Sequence, residues 1–136
     1  MIGLDTNVLA RYLTQDDPKQ SAQATRLIEQ AIRLEEPLFI NHIVLCELCW
    51  VLARAYDFSK GDLANLFEKI LLARQFDIED KPAVWNAFAQ FKESKADFAD
   101  CLVGVKNQKA GCRATFSFDT MALTLANFSP ARTSSE

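Results

Sequence analysis

The feature that most constrains this chain is an alternation of very short apolar runs with long stretches of helical period. The runs are Ile2-Gly3-Leu4, Leu38-Phe39-Ile40, Phe76-Asp77-Ile78 and Ala114-Thr115-Phe116. A run this short, bounded by polar residues, buries best as a strand, and a helix between successive strands returns the chain for parallel pairing. The pattern predicts an α/β fold of three layers, α/β/α, with helices covering both faces of a short central parallel sheet. Ligands of such sheets bind beyond the carboxyl ends of the strands, near the switch in strand order.

The helical stretches carry their own start and stop signals. Asp17-Pro18 offers a cap followed by proline at the first helical position. Ala22, Leu27, Ile28, Ala31 and Ile32 then keep the period until Pro37 forbids continuation. Asn41 is placed to cap a helix bearing Val44, Leu45, Leu48, Val51 and Leu52. Ser59-Lys60-Gly61-Asp62 has capping-box spacing ahead of Leu63, Leu66, Phe67, Ile70 and Leu71. Asp80 reads as the cap of a helix through Val84, Trp85, Phe88 and Phe91. Another helix is expected over residues 97–109, stopped by Gly111, and a short one over 120–126. With no linker or repeat visible, a single domain is expected over residues 1–128, and residues 129–136, rich in Ser and Thr, are read as a flexible tail.

Composition narrows the class. A chain of 136 residues with 49% hydrophobic content can bury a core without disulfides. Its apolar runs are too short to span a bilayer, and no basic region followed by an apolar one precedes Asp5, so a cytoplasmic protein with no membrane contact is expected. A net charge of -3 argues, taken alone, against a tight grip on nucleic acid. Lys19, Arg26 and Arg33 recur every seventh residue; that stripe is read as a solvated helix face rather than a phosphate track. Cys46 and Cys49 form a C-x-x-C without a second close pair, because Cys101 and Cys112 stand far apart. They are read as core packing within the apolar stretch 43–55.

The chemistry lies in acids. Asp5 follows the first run, Asp119 follows the fourth, and Glu47 falls in the second turn of the helix after the second run, which draws these side chains toward one end of the sheet. Asp97 and Asp100 are spaced to share a helix face. Asp97 is read as the N-cap, which leaves Asp100, inside the first turn, as the better ligand. Each acid also has a structural alternative: a turn for Asp5, a helix cap for Asp119, a polar stripe for Glu47. Together they form a set of carboxylates that raise one another's pKa, a cost that a hard divalent cation such as Mg²⁺ or Mn²⁺ relieves. Such an ion supplies an activated water and stabilises charge on a phosphodiester. His42, the sole histidine, cannot anchor a histidine-rich zinc site.

At these residues the chain resembles a known family. Met1-Ile2-Gly3-Leu4-Asp5-Thr6-Asn7-Val8-Leu9 is similar to the N-terminus of PIN-domain proteins, especially VapC-type toxins of bacterial toxin–antitoxin pairs. The resemblance continues through Val44-Leu45-Cys46-Glu47-Leu48-Cys49-Trp50-Val51-Leu52 and Ala96-Asp97-Phe98-Ala99-Asp100-Cys101-Leu102. It ends at Thr115-Phe116-Ser117-Phe118-Asp119. The resemblance implies Mg²⁺- or Mn²⁺-dependent endoribonuclease activity on RNA, a small VapB-like antitoxin that blocks the site, and homodimers. By position Asp5, Glu47, Asp100 and Asp119 match the family's acidic quartet, as catalytic residues and metal ligands. Asp97 matches a frequent extra acid, while Asn7 and Ser117 match polar neighbours. Ser117 departs from the commoner Thr-Phe-Asp but keeps a hydroxyl. Thr120-Met121 replaces the basic residues often found after the last aspartate. His42 stands where small residues or proline are usual, and is read as a satisfied histidine at the helix entry.

Three other readings fit the residues less well. A binding-only PIN-like domain needs no uncompensated acids. A receiver-type phosphoacceptor domain wants adjacent acids after the first strand, where Thr6-Asn7 stands instead. A haloacid-dehalogenase-like phosphatase wants D-x-D, and Asn7 occupies the second position. On the preferred reading, an antitoxin arginine or lysine plugs the acidic site, since a guanidinium pairs with carboxylates as a metal would. The apolar faces bearing Leu27, Ile28, Leu63, Phe67 and Ile70 are read mainly as core, with a remainder for the antitoxin's helix. The RNA target, the cleavage sequence and the number of metals are not legible in the sequence.

Overall fold

The structure, a computed structural model, describes residues 1–133. The chain divides into two compact units, Met1–Glu79 and Asp80–Glu136.

In the first unit, β1 (Ile2–Gly3), β2 (Leu38–Ile40) and β3 (Phe76–Ile78) form a parallel sheet in the order β1-β2-β3, with Ile2 opposite Leu38 and Leu38 opposite Phe76. The central strand shows why these runs are strands. Leu38 and Ile40 are wholly buried, and removing such a side chain from water contributes about 1.5–3 kcal/mol. Four helices accompany the sheet: α1 (Thr6–Thr14), α2 (Pro18–Arg33), α3 (His42–Ala55) and α4 (Lys60–Leu72). The expected caps are in place. Asp17 accepts from the amides of Lys19 and Gln20, Asn41 from that of Val44, and Ser59 and Asp62 close a reciprocal capping box. Each satisfies amides that the first helical turn leaves unpaired. α1 was not anticipated. Asp5 caps it by accepting from the Val8 amide at 2.9 Å, and Leu9 and Ala10 fill the core.

The second unit pairs α5 (Lys81–Glu93) with α6 (Phe98–Lys109), followed by β4 (Thr115–Ser117) and β5 (Phe128–Pro130) in a parallel two-stranded sheet. Phe91 and Phe98 meet edge to face across the helix pair, with ring centroids 6.3 Å apart. Gly104 lets α6 approach β5: a Cβ there would stand 2.6 Å from the Phe128 ring. Gly111 ends the helical region with φ +99°, a conformation that favours glycine.

The class is the expected one, α/β with parallel pairing and a helical majority, but several local expectations are corrected. The fourth predicted strand, β4, belongs to a second parallel sheet with β5. β5 takes in Ser129 and Pro130 from the stretch expected to be a tail; residues 134–136 of that stretch lie outside the described residues. Asp80 makes no capping hydrogen bond; it sits at φ 41° and pairs with Lys109 at 2.6 Å. The helix expected over 120–126 is only a 3-10 turn, Ala122–Thr124, in which the Thr124 hydroxyl donates back to the Met121 carbonyl at 2.6 Å. Cys46 and Cys49 are half-buried rather than core residues, whereas Cys101 is buried. No helix among the described residues is long and apolar enough to cross a membrane.

Candidate active site

Each unit presents its own group of candidate acids. In the first, Asp5 stands between β1 and α1. One carboxylate oxygen holds the helix cap, and Oδ2 has no protein partner among the described residues. The structural alternative and the chemical one are therefore compatible: one oxygen fixes the side chain and leaves the other for a ligand. Glu47 projects from α3 and is exposed. The Thr6 hydroxyl donates to its Oε1 at 3.4 Å. Thr6 is a buried polar residue that sequence reasoning did not single out, although it is the middle residue of Asp5-Thr6-Asn7. Asn7, exposed on the first turn of α1, lines a cleft of about 310 Å³ together with Asp5, Arg11, Gln20, Gln23 and Leu27. Arg11 was missed as well. It is fixed by Asp16, Tyr56 and Gln20, a network assembled from α1, α2 and the end of α3 that no local motif reveals.

In the second unit Asp97 is the N-cap of α6, accepting from the Asp100 amide at 3.1 Å, as its position in the sequence predicts. Asp100 is half-buried in the first turn. Its carboxyl is pushed up to about 6, first by desolvation, then by a hydrogen bond and repulsion from Asp97 and by the charge of Asp119. No cation partners it among the described residues. Asp119 follows β4 and caps the 3-10 turn through Oδ1, which accepts from the Met121 and Ala122 amides at 2.8 and 3.3 Å. Ser117 holds that corner from behind: its Oγ accepts from the Asp119 amide at 3.0 Å. The acids Asp97, Asp100 and Asp119 thus interact within one unit.

His42 is buried at the start of α3 and engaged with Glu79. Its backbone amide donates to the Glu79 carboxylate at 2.9 Å, and its Nε2 lies 2.7 Å from the Glu79 carbonyl oxygen, which requires the Nε2–H form. The ring serves the helix entry.

Among the described residues no three His, Cys, Asp or Glu side chains enclose a metal by themselves. The donor set nonetheless suits a hard, hydrated ion. Mg²⁺ commonly takes one or two carboxylates and keeps several waters, and Asp100 is an acid raised by burial and then by its neighbours Asp97 and Asp119, with no protein cation beside it among the described residues.

Helices around short parallel strands, with acids after β1 and β4, in the second turn of α3 and in the first turn of α6, agree with the comparison to known families. The PIN domain family matches residues 2–127, and the chain belongs to that family. Within it, the chain is similar to the VapC ribonuclease of Aquifex aeolicus (strain VF5), with 30% identity over 115 residues, 85% of this chain and 84% of that protein.

Proposed function

We propose that the protein is a metal-dependent endoribonuclease that hydrolyses RNA phosphodiesters, the toxin of a toxin–antitoxin pair. Asp5, Glu47, Asp100 and Asp119 are its catalytic acids and the ligands of Mg²⁺ or Mn²⁺, with Asn7, Asp97 and Ser117 in support. The observation that carries this reading is Asp100, half-buried and raised to about 6 beside Asp97 and Asp119 with no protein cation to relieve it. A side chain in that state is poised to gain a cation. When bound, the metal supplies an activated water and neutralises charge on the phosphodiester.

The chain's own groups prepare the acids. The α1 and 3-10 caps hold Asp5 and Asp119 by one oxygen each, so neither side chain needs to be ordered when its ligand arrives. Thr6 donates to Glu47, which orients that carboxylate on α3. Asp97 holds the first turn of α6 and so fixes where Asp100 projects.

Membership of the PIN domain family and similarity to a protein named VapC ribonuclease support the nuclease reading over a receiver-type phosphoacceptor domain. They equally support a VapB-like antitoxin as partner. A basic side chain of that partner, lodged among the acids, meets the same need for positive charge and silences the enzyme. The test is a set of single variants, Asp5→Asn, Glu47→Gln, Asp100→Asn and Asp119→Asn, assayed on single-stranded RNA with Mn²⁺. Each is expected to lose cleavage while keeping the circular dichroism of the parent. Full activity in any two of them would sink the assignment of these acids, whereas a parent chain that binds RNA without cleaving it would leave a PIN domain that only binds.

A further inference from the structure

The strand leading to Asp119 is built inside out. Along residues 115–118 the polar Thr115 and Ser117 are half-buried, whereas Phe116 and Phe118 are 53% and 88% exposed. A half-buried strand normally points its apolar residues inward. Here the inward positions are used to fix the backbone: Asn107 donates to the Thr115 hydroxyl at 3.0 Å, and Ser117 accepts from the Asp119 amide. The two phenyl rings are left outside, where they contribute little to the core. Single exposed apolar residues are ordinary, but two aromatics on alternate positions beside a candidate catalytic acid form a surface that a ligand explains better than folding does.

Charge around the pair indicates which ligand. The Arg113 guanidinium lies over the Phe116 ring, 5.9 Å from its centroid. Arg132 follows β5 where the Ala131 amide donates to the Ser117 carbonyl, so it stands at the Asp119 end of the same sheet. Both arginines are exposed, and neither has a carboxylate partner among the described residues. Aromatic faces interleaved with unpaired guanidinium groups suit single-stranded nucleic acid, whose bases stack on the rings while its phosphates meet the cations.

We propose that Phe116 and Phe118, flanked by Arg113 and Arg132, are a stacking platform for the bases of single-stranded RNA next to Asp119. The platform rests on the nuclease reading and specifies how its substrate is seated: the chain stacks bases without reading their edges, so it adds affinity with little sequence preference. It also supplies near Asp119 the positive charge that Thr120-Met121 do not.

The test uses the full chain in EDTA, with a fluorescein-labelled oligouridylate and the same oligomer carrying one 2-aminopurine. Phe118→Ala is expected to weaken binding about 5- to 150-fold, to abolish quenching of the 2-aminopurine, and to leave the melting temperature unchanged. Phe118→Trp should retain both binding and quenching, whereas Phe118→Leu should lose most of each, because it keeps apolarity without a π face. Arg113→Gln should lower the salt dependence by roughly one phosphate contact. With Mn²⁺ present, Phe116→Ala should raise KM and leave kcat nearly unchanged. Parental RNA affinity and quenching in Phe118→Ala, in a protein that still cleaves RNA, would overturn the platform alone. Unchanged RNA affinity with a change in oligomeric state on size-exclusion chromatography would overturn it in favour of a protein contact. A parent chain that neither binds nor cleaves any RNA would overturn the nuclease reading and the platform with it.

Discussion

Asp100 shows how a single carboxylate links stability to activity. In the folded chain its carboxyl is raised to about 6 from an ordinary 3.8. Being ionised at neutral pH, it therefore opposes folding, a cost that is complete above the folded value and gone below the unfolded one. In chelator Asp100→Asn should melt above the parent at neutral pH, and the same substitution should end RNA cleavage. Asp97→Asn should be much milder, since asparagine caps a helix about as well as aspartate; equal and complete loss of cleavage from both would make Asp97 a ligand. Asp16 has the opposite sign. The Tyr56 hydroxyl donates to it, and with Thr14 and Arg11 brings its carboxyl down to about 2 from 3.8. That stabilisation is present above the unfolded value and lost as pH falls toward 2. Tyr56→Phe should raise the midpoint pH of acid unfolding, which a pH titration followed by circular dichroism will show. Asp97 as a cap and His42 as a helix-entry residue were legible, because each belongs to a local motif. Thr6 and Arg11 were not: their partners lie 41 and 45 residues away in Glu47 and Tyr56, and sequence spacing carries no trace of such pairs.

At the scale of elements, legibility followed the presence of a punctuating residue. Asp17-Pro18, Asn41, Ser59 and Gly111 mark boundaries that the structure keeps. α1 escaped because Asp5 reads equally well as the end of a strand, yet Leu9, Ala10 and Leu13 already have helical spacing. β5 escaped because Ser129-Pro130 has the composition of a tail. What makes it a strand is main-chain pairing to β4, with Pro130 at the strand's end, where a missing amide is tolerated. The packing of α6 on β5 depends on Gly104, whose carbonyl accepts from the Asn127 side chain at 3.0 Å. Gly104→Ala drives a methyl group into the Phe128 ring and the Asn127 amide, an overpacking that should cost about 1–3 kcal/mol. A thermal melt several degrees lower is expected, and an unchanged melt would show that the side chains of Phe128 and Asn127 move aside freely.

For the molecule as a whole, the net charge of -3 disguises an uneven distribution. Asp97, Asp100 and Asp119 interact within one unit, while the Arg113 guanidinium lies over the exposed Phe116 ring. Sequence composition gives only the sum, which is why charge alone pointed away from nucleic acid and the motifs pointed toward it. The proposed function reconciles the two, because a cation held by the acids would reverse their effect on a phosphodiester. The most direct test of the account is the cleavage rate of an end-labelled single-stranded RNA by partner-free protein as Mn²⁺ is titrated in. The rate should rise from zero in EDTA to saturation, and return to zero when chelator is added back. Cleavage at full rate in EDTA, by protein free of contaminating nuclease, would contradict the account.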